Sequence, residues 1–313
     1  MTDRPIIPFV SNISAASRNA WSVQLQAALP EFRIVPFDPN VDFANAEFAL
    51  VANPDPDHLS QLPNLKWVQS LWAGVEKLVH SLPDDVAIVR MTDPQLAKTM
   101  AEAVLTMTLY LHRDLPKYVS QHASGIWEQH DVVLPEDRKV GVLGLGALGR
   151  SACAALSQHG FDVLGWSRSP KSMPNVRCFS GEDGLTDLLH VSDIVVVLLP
   201  LTTTTRGLLD HTRLSRMKSG ASVINFARAQ IIETDALLNM LAARHLNHAV
   251  LDVFAVEPLP RMDRLWRTDN LTILPHVSAP TNMKTASVVA AKNIATYFRT
   301  GQVPDCVDRQ RGY

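Results

Sequence analysis

Three glycines, Gly144-x-Gly146-x-x-Gly149, lie between an apolar run, Lys139-Val140-Gly141-Val142-Leu143, and a segment at 151–159 that reads as a helix. A second apolar run opens at Phe161. Strand, glycine turn, helix and strand in that order give the spacing its meaning. Gly144 permits a tight turn, Gly146 leaves bare backbone for a phosphate to approach, and Gly149 lets the helix pack close on the sheet. Free amides at the helix start (Ala147, Leu148), at the positive end of its dipole, then attract an anion. A glycine-rich turn that binds nothing is the plain alternative, and the flanking elements argue against it. The chemistry this spacing points to is the binding of a dinucleotide pyrophosphate.

The residues after the second strand bear on which dinucleotide. An NAD site usually carries an acid there, to take the ribose 2′-hydroxyl. Here the strand ends in Gly165-Trp166-Ser167-Arg168-Ser169-Pro170-Lys171, and the nearest acid, Asp162, sits at the opposite end. A guanidinium at Arg168 between the hydroxyls of Ser167 and Ser169, with Lys171 nearby, suits a 2′-phosphate dianion. The other reading is an arginine and a lysine on an ordinary surface loop. The sequence therefore predicts NADP(H) as the preferred cofactor, with NAD(H) possible.

Further polar residues follow the later apolar runs, where an α/β sheet places its ligands. Arg228 comes after Val223-Ile224-Asn225-Phe226-Ala227, Glu257 lies in Asp252-Val253-Phe254-Ala255-Val256-Glu257-Pro258, and His276 lies in Leu274-Pro275-His276-Val277-Ser278-Ala279. Taken singly, His276 could be structural, Arg228 and Glu257 an ordinary ion pair, and Asp252 a loop cap. Taken together, on the later strands of a dinucleotide domain, they point to a site. No histidine or cysteine spacing suits a metal, and no Gly-x-Ser-x-Gly supports a hydrolase, so no metal is expected.

These residues must be held by alternating strands and helices. Strands are expected at 6–11, 32–36, 49–51, 65–69 and 87–90, with a helix at 16–29. A long helix is expected from 95 to about 119, with an apolar face at Met100, Val104, Met107, Leu111 and Leu115. A second α/β unit has strands beginning at 139 and at 162–166, 194–199, 222–226, 249–253 and 271–273. They are apolar at successive positions, as suits strands covered by helices on both faces. The run Thr202-Thr203-Thr204-Thr205 reads as a polar loop capping the next helix. A final helix at 283–300 returns to the first unit.

The 313 residues suit two domains, and 46% apolar with 19% charged residues is a globular balance. A net charge of −2 gives no reason to expect nucleic acid or an anionic membrane as partner. The start lacks a signal-peptide pattern, and the longest apolar run, Ile194 to Leu201, is far shorter than the ~20 residues of a membrane helix. Three widely spaced cysteines, Cys153, Cys178 and Cys306, suggest a reducing, cytoplasmic setting.

The sequence resembles the D-isomer-specific 2-hydroxyacid dehydrogenase family over nearly its whole length. The resemblance rests on the glycine motif, the segment Leu199-Pro200-Leu201-Thr202 to Thr205-Arg206-Gly207-Leu208, the Asn-x-x-Arg ending at Arg228, Asp-Val-Phe-x-x-Glu-Pro, and Pro275-His276. Trp166-Ser167-Arg168-Ser169, Leu71-Trp72-Ala73-Gly74-Val75 and Glu257-Pro258-Leu259-Pro260 with Leu265-Trp266 are similar to its glyoxylate/hydroxypyruvate reductase A branch.

The resemblance implies a Rossmann-type dinucleotide domain at 99–279. It also implies a discontinuous, flavodoxin-like α/β substrate domain at 1–98 with 280–313. The implied activity is NADPH-dependent reduction of small 2-keto acids (glyoxylate, hydroxypyruvate) to 2-hydroxy acids. His276 would be the general acid, an imidazole being suited to proton transfer near neutrality. Glu257 would orient its ring, and Arg228 would bind the substrate carboxylate and polarise the carbonyl. Backbone amides near Ala73, Gly74 and Val75 would take the other side of the carboxylate, with Trp72 either closing the pocket or packing in the core.

Leu199, Pro200, Leu201, Thr205, Phe226, Ala227, Arg228, His276, Ser278 and Ala279 would line the cofactor, and Asp252 would hold the nicotinamide carboxamide. A homodimer is implied, with the 95–119 helix as a contact or as a face buried within the monomer. Ala229 stands where the family usually has glycine, which puts turnover of the usual substrates in question. A dehydrogenase for another or larger 2-hydroxy acid, and a catalytically weak NADP(H)-sensing binding protein, are the alternatives.

Overall fold

The computed structural model describes residues 4–312. They form two compact units, one made of the residues up to Gln95 together with those from Thr281 on, the other of Leu96–Pro280.

The first unit is built on a five-stranded parallel sheet of β1 (Ile6–Ser11), β2 (Arg33–Pro36), β3 (Phe48–Ala52), β4 (Trp67–Ser70) and β5 (Ala87–Val89). Its strand order, β2-β1-β3-β4-β5, is that of flavodoxin-like sheets. β3 is apolar and buried at every position, as expected of a central strand covered on both faces. Helices α1 (Ala15–Ala28), α2 (Pro56–Leu59) and α3 (Glu76–Ser81) make connections between strands. The C-terminal helix, Met283–Thr300, sends Ala286, Ala290, Ile294 and Tyr297 into the same core as Trp21 and Leu25 of α1. Asn282 caps it by accepting from the Lys284 and Thr285 amides, and Thr285 Oγ1 donates to Asp93 Oδ2 at 2.5 Å.

The second unit contains α4 (Pro94–His112) from Leu96 on, α5 (Leu115–Ser124), β6 (Lys139–Leu143), α6 (Ala147–Gln158), β7 (Asp162–Ser167), β8 (Arg177–Ser180), α7 (Gly181–Val191), β9 (Ile194–Val197), α8 (His211–Ser215), β10 (Ala221–Asn225), α9 (Thr234–Ala242), β11 (Leu246–Leu251) and β12 (Leu271–Ile273). All seven strands are parallel, in the order β12-β11-β10-β9-β6-β7-β8. Numbered from β6, this is the doubly wound 3-2-1-4-5-6 arrangement with one strand added beside the sixth. The order reverses between β6 and β9, which leaves a crevice at their carboxyl ends.

Two local expectations are corrected. The single helix expected over 95–119 is broken at Asp114, whose φ is 52°, and α5 starts at Leu115. Pro116 explains the break, since it has no N–H to give the His112 carbonyl. The apolar stripe of α4 at Met100, Val104 and Leu111 is buried within the unit, whereas Leu115, Val119, Ile126 and Trp127 beyond it are exposed. The four threonines do not cap a helix. Thr205 Oγ1 donates to the Pro200 carbonyl at 2.6 Å and accepts the Thr202 amide at 2.8 Å, closing the loop on itself. Asp210 caps α8, accepting the Arg213 amide at 2.7 Å.

Candidate active site

The glycine turn joins β6 to α6. Gly144 has a φ of 107°, and a Cβ there would lie 2.7 Å from the Leu198 carbonyl oxygen. At Gly149 a Cβ would lie 1.7 Å from the Gly144 carbonyl oxygen, so the first turn of α6 rests directly on the backbone of the glycine turn. Gly146, the N-cap of α6, is different: a Cβ there would meet nothing within 4 Å. Gly146 and Ala147 are exposed, and Leu148 is half-buried behind them. Open, side-chain-free backbone at a helix N-terminus is the arrangement a pyrophosphate requires.

On the next strand, Ser167 is buried and its hydroxyl donates to the Ser169 carbonyl at 2.7 Å. Arg168 and Ser169 face solvent. Lys171, expected beside Arg168, donates from Nζ to the Leu145 carbonyl at 3.0 Å and so ties this loop to the glycine turn. Leu199, Pro200 and Leu201 follow β9, at the edge where the strand order reverses.

Arg228, Glu257 and His276 follow β10, β11 and β12, three neighbouring strands whose carboxyl ends share one edge. His276 Nδ1 and Glu257 Oε2 are 2.8 Å apart, and both side chains are partly open to solvent. The other oxygen of Glu257 accepts the Phe254 amide at 2.9 Å, which anchors the carboxylate that faces the ring. His276 holds a φ of 55°, a left-handed conformation uncommon for a side-chain-bearing residue and concentrated at sites that over-determine it.

Asp252 supplies that constraint. It is 2% exposed, and its two oxygens accept the Val277 amide at 2.7 Å and the Ser278 amide at 2.9 Å. The loop-capping possibility left open for Asp252 is therefore realised. Ser278 Oγ is buried without a hydrogen-bond partner among the described residues. Phe226 and Ala227 are buried beside Arg228, and Ala279 is half-buried. Arg228 donates from Nη1 to the Ala227 carbonyl at 2.7 Å, and Ala229 opens a short 3-10 turn, Ala229–Ile231.

A nicotinamide dinucleotide fits these residues. The bare Gly146 turn offers room for a pyrophosphate, and Ser278 offers an unpaired hydroxyl beside the His276 loop. His248 belongs to a different context. It is buried on β11 with Nε2 at 2.8 Å from Thr272 Oγ1, and burial pushes its imidazole down to about 4.

In the first unit, Trp72–Val75 follows β4 at the carboxyl edge of its sheet. Ser70 Oγ accepts the Trp72 amide and donates to the Trp72 carbonyl, both at 3.0 Å. The Trp72 ring packs edge-on against Trp21, with centroids 5.7 Å apart, so its bulk serves the core of that unit. Val75 is buried in the layer on the other face of the sheet.

Residues 105–278 match the model of the D-isomer specific 2-hydroxyacid dehydrogenase NAD binding domain. The chain belongs to the D-isomer-specific 2-hydroxyacid dehydrogenase family. This is a family of NAD(P)-dependent oxidoreductases acting on small hydroxy and keto acids. The chain is similar to glyoxylate/hydroxypyruvate reductase A of Photorhabdus laumondii, with 35% identity over 94% of this chain and 96% of the relative. The Yersinia enterocolitica reductase A is 33% identical over the same shares. Among solved structures, the family member from Xanthobacter autotrophicus Py2 in complex with NADPH and MES has a TM-score of 0.92 at 38% identity, covering 100% of both chains. The NADPH-dependent glyoxylate/hydroxypyruvate reductase of Sinorhizobium meliloti, in complex with NADP and sulfate, has a TM-score of 0.91 at 30% identity, covering 99% of this chain and 100% of that one.

The Asn-x-x-Arg pattern marks Asn225 in the sequence without naming a part for it, because its partners are backbone groups of the following turn, the Ala227 amide and the Arg228 carbonyl.

Proposed function

We propose that this dehydrogenase reduces small 2-keto acids of the glyoxylate and hydroxypyruvate type, with NADPH preferred over NADH and His276 as general acid. The observation that carries the reading is the 2.8 Å His276–Glu257 pair, set in a loop clamped by Asp252 and at the same sheet edge as Arg228. With Nδ1 engaged by Glu257, the ring directs Nε2 to the substrate and donates a proton from it to the carbonyl oxygen. Glu257 stabilises the charged ring before transfer. Arg228 binds the substrate carboxylate through its planar fork and draws electron density toward the carbonyl oxygen. A reduced nicotinamide cofactor supplies the hydride when bound.

The preference for NADPH rests on exposed Arg168, on the lack of an acid at the end of β7, and on the NADP(H) held by the similar Xanthobacter and Sinorhizobium proteins. A homodimer belongs to the same reading. Apolar residues gather on the surface at 115–134, where Trp127 is 96% exposed, and sedimentation as a monomer at micromolar concentration would remove this part. Cofactor oxidation at 340 nm with glyoxylate, hydroxypyruvate, pyruvate and a larger 2-keto acid tests the activity, with His276→Ala as control. Fastest turnover with NADPH and the small acids, abolished in the variant, is the expected result. NADPH binding without turnover of any acid would overturn it and favour a binding protein.

A further inference from the structure

Asn225 ends β10 and is 1% exposed, a primary amide in a strand whose neighbours Val223 and Ile224 are fully buried. Its backbone is fixed by pairing with Val197 of β9 and Leu251 of β11, and its carbonyl accepts the Asp252 amide at 3.2 Å. The side chain then spans the following turn. Oδ1 accepts the Ala227 amide at 3.1 Å, and Nδ2 donates to the Arg228 carbonyl at 3.0 Å. Between those two anchors lies the Ala227 carbonyl, the group that accepts Arg228 Nη1 at 2.7 Å.

We infer that Asn225 is a positioning residue for Arg228, tying down the Ala227 amide and the Arg228 carbonyl, which bracket the 227–228 peptide, and so setting the direction in which the guanidinium is presented. The inference rests on the proposed role of Arg228 toward the substrate carboxylate. Packing alone gives no reason for an amide here. An apolar side chain of similar volume fills a buried strand end without desolvating polar atoms. The amide is matched instead to one N–H and one C=O, groups that β10 no longer pairs once the chain leaves the sheet.

The test is a double-mutant cycle with glyoxylate and NADPH, alongside direct NADPH titration by fluorescence. Asn225→Ala should lower kcat/KM about 10²-fold, the scale expected when a catalytic group is displaced by about 1 Å, with the Kd for NADPH unchanged. In an Arg228→Lys background the same substitution should cost less than about threefold, because its effect runs through the guanidinium. Equal losses in the two backgrounds, or wild-type kcat/KM in Asn225→Ala, overturn the inference and leave the proposed activity standing. If Asn225→Ala does not fold, Asn225→Asp carries the same cycle, since it keeps shape and acceptor and loses the donor. Failure of the wild-type enzyme to reduce any 2-keto acid overturns the activity and this inference with it.

Discussion

Substituting alanine at Gly149 and at Gly146 should separate two tasks that one motif combines. At Gly149 the new methyl would begin 1.7 Å from the Gly144 carbonyl oxygen and reach ordinary contact only at 3.4 Å or beyond. Because the obstacle is backbone, α6 and the glycine turn must move apart. That places the cost at the upper end of overpacking, about 3 kcal/mol. For a unit of roughly 150–250 residues this lowers Tm by about 6–12 °C. At Gly146 the methyl meets nothing, and the φ of −78° is open to any residue, so the cofactor-free Tm should stay within about 2 °C.

NADPH reverses the contrast. At a hundredfold excess over Kd a ligand stabilises by about 2.7 kcal/mol, a rise of about 5–10 °C for the wild-type protein. On the proposed reading the Gly146 methyl would stand in the path of the pyrophosphate, so Gly146→Ala should lose more than half of that rise. Thermal unfolding followed by circular dichroism, with and without NADPH, reads both effects. A full NADPH shift in Gly146→Ala would refute the turn as a phosphate cradle. An unchanged cofactor-free Tm in Gly149→Ala would refute the packing argument.

Asp252→Ala should destabilise the protein by about 2–4 kcal/mol in urea unfolding, because two amides lose a buried charged acceptor. His248, whose folded-state imidazole lies near 4 against 6.5 when free, stays neutral in the native protein where the unfolded chain takes up a proton. Stability should therefore fall as pH drops from about 6.5 toward 4, by about 2 kcal/mol at pH 5, and His248→Gln should flatten that window. Arg168→Ala should raise the KM for NADPH at least about tenfold more than that for NADH, the worth of one charge-assisted contact to a phosphate; equal effects in steady-state kinetics would count against a 2′-phosphate site.

Much of the fold was legible because its strands are apolar runs punctuated by turns. β1, β12 and the C-terminal helix fall on the expected residues, and the glycine spacing marks the strand–helix junction of β6 and α6. β8 was not foreseen. Arg177-Cys178-Phe179-Ser180 lies at the sheet edge, half open to solvent, and carries no apolar run. The break at Asp114 was hidden because the apolar period continues through Leu115, while the deciding signal was the missing N–H of Pro116.

Within the site, the meeting of Glu257 and His276 depends on β11 lying beside β12, which spacing along the chain does not encode. Asp252 was legible as an acid at a strand end, yet its two partners lie in a loop that starts only after another strand has been laid down. Lys171 reads from the sequence as one more cation for a phosphate, and its bond to the Leu145 carbonyl, which ties it to the glycine turn, is not something spacing along the chain encodes.

The interrupted first unit has a consequence for how the protein is made. Residues 96–280 are contiguous, so that unit can complete its seven-stranded sheet while the remainder of the chain is still on the ribosome. The five-stranded sheet has no such independence. Its strands emerge first, but Trp21, Leu25 and Trp67 stay without part of their covering layer until Ala286, Ala290, Ile294 and Tyr297 arrive. For the time taken to translate nearly two hundred intervening residues, at roughly 5–20 residues per second, that apolar face must be shielded by other means. The earliest part of the chain to be synthesised is thus the last to finish folding.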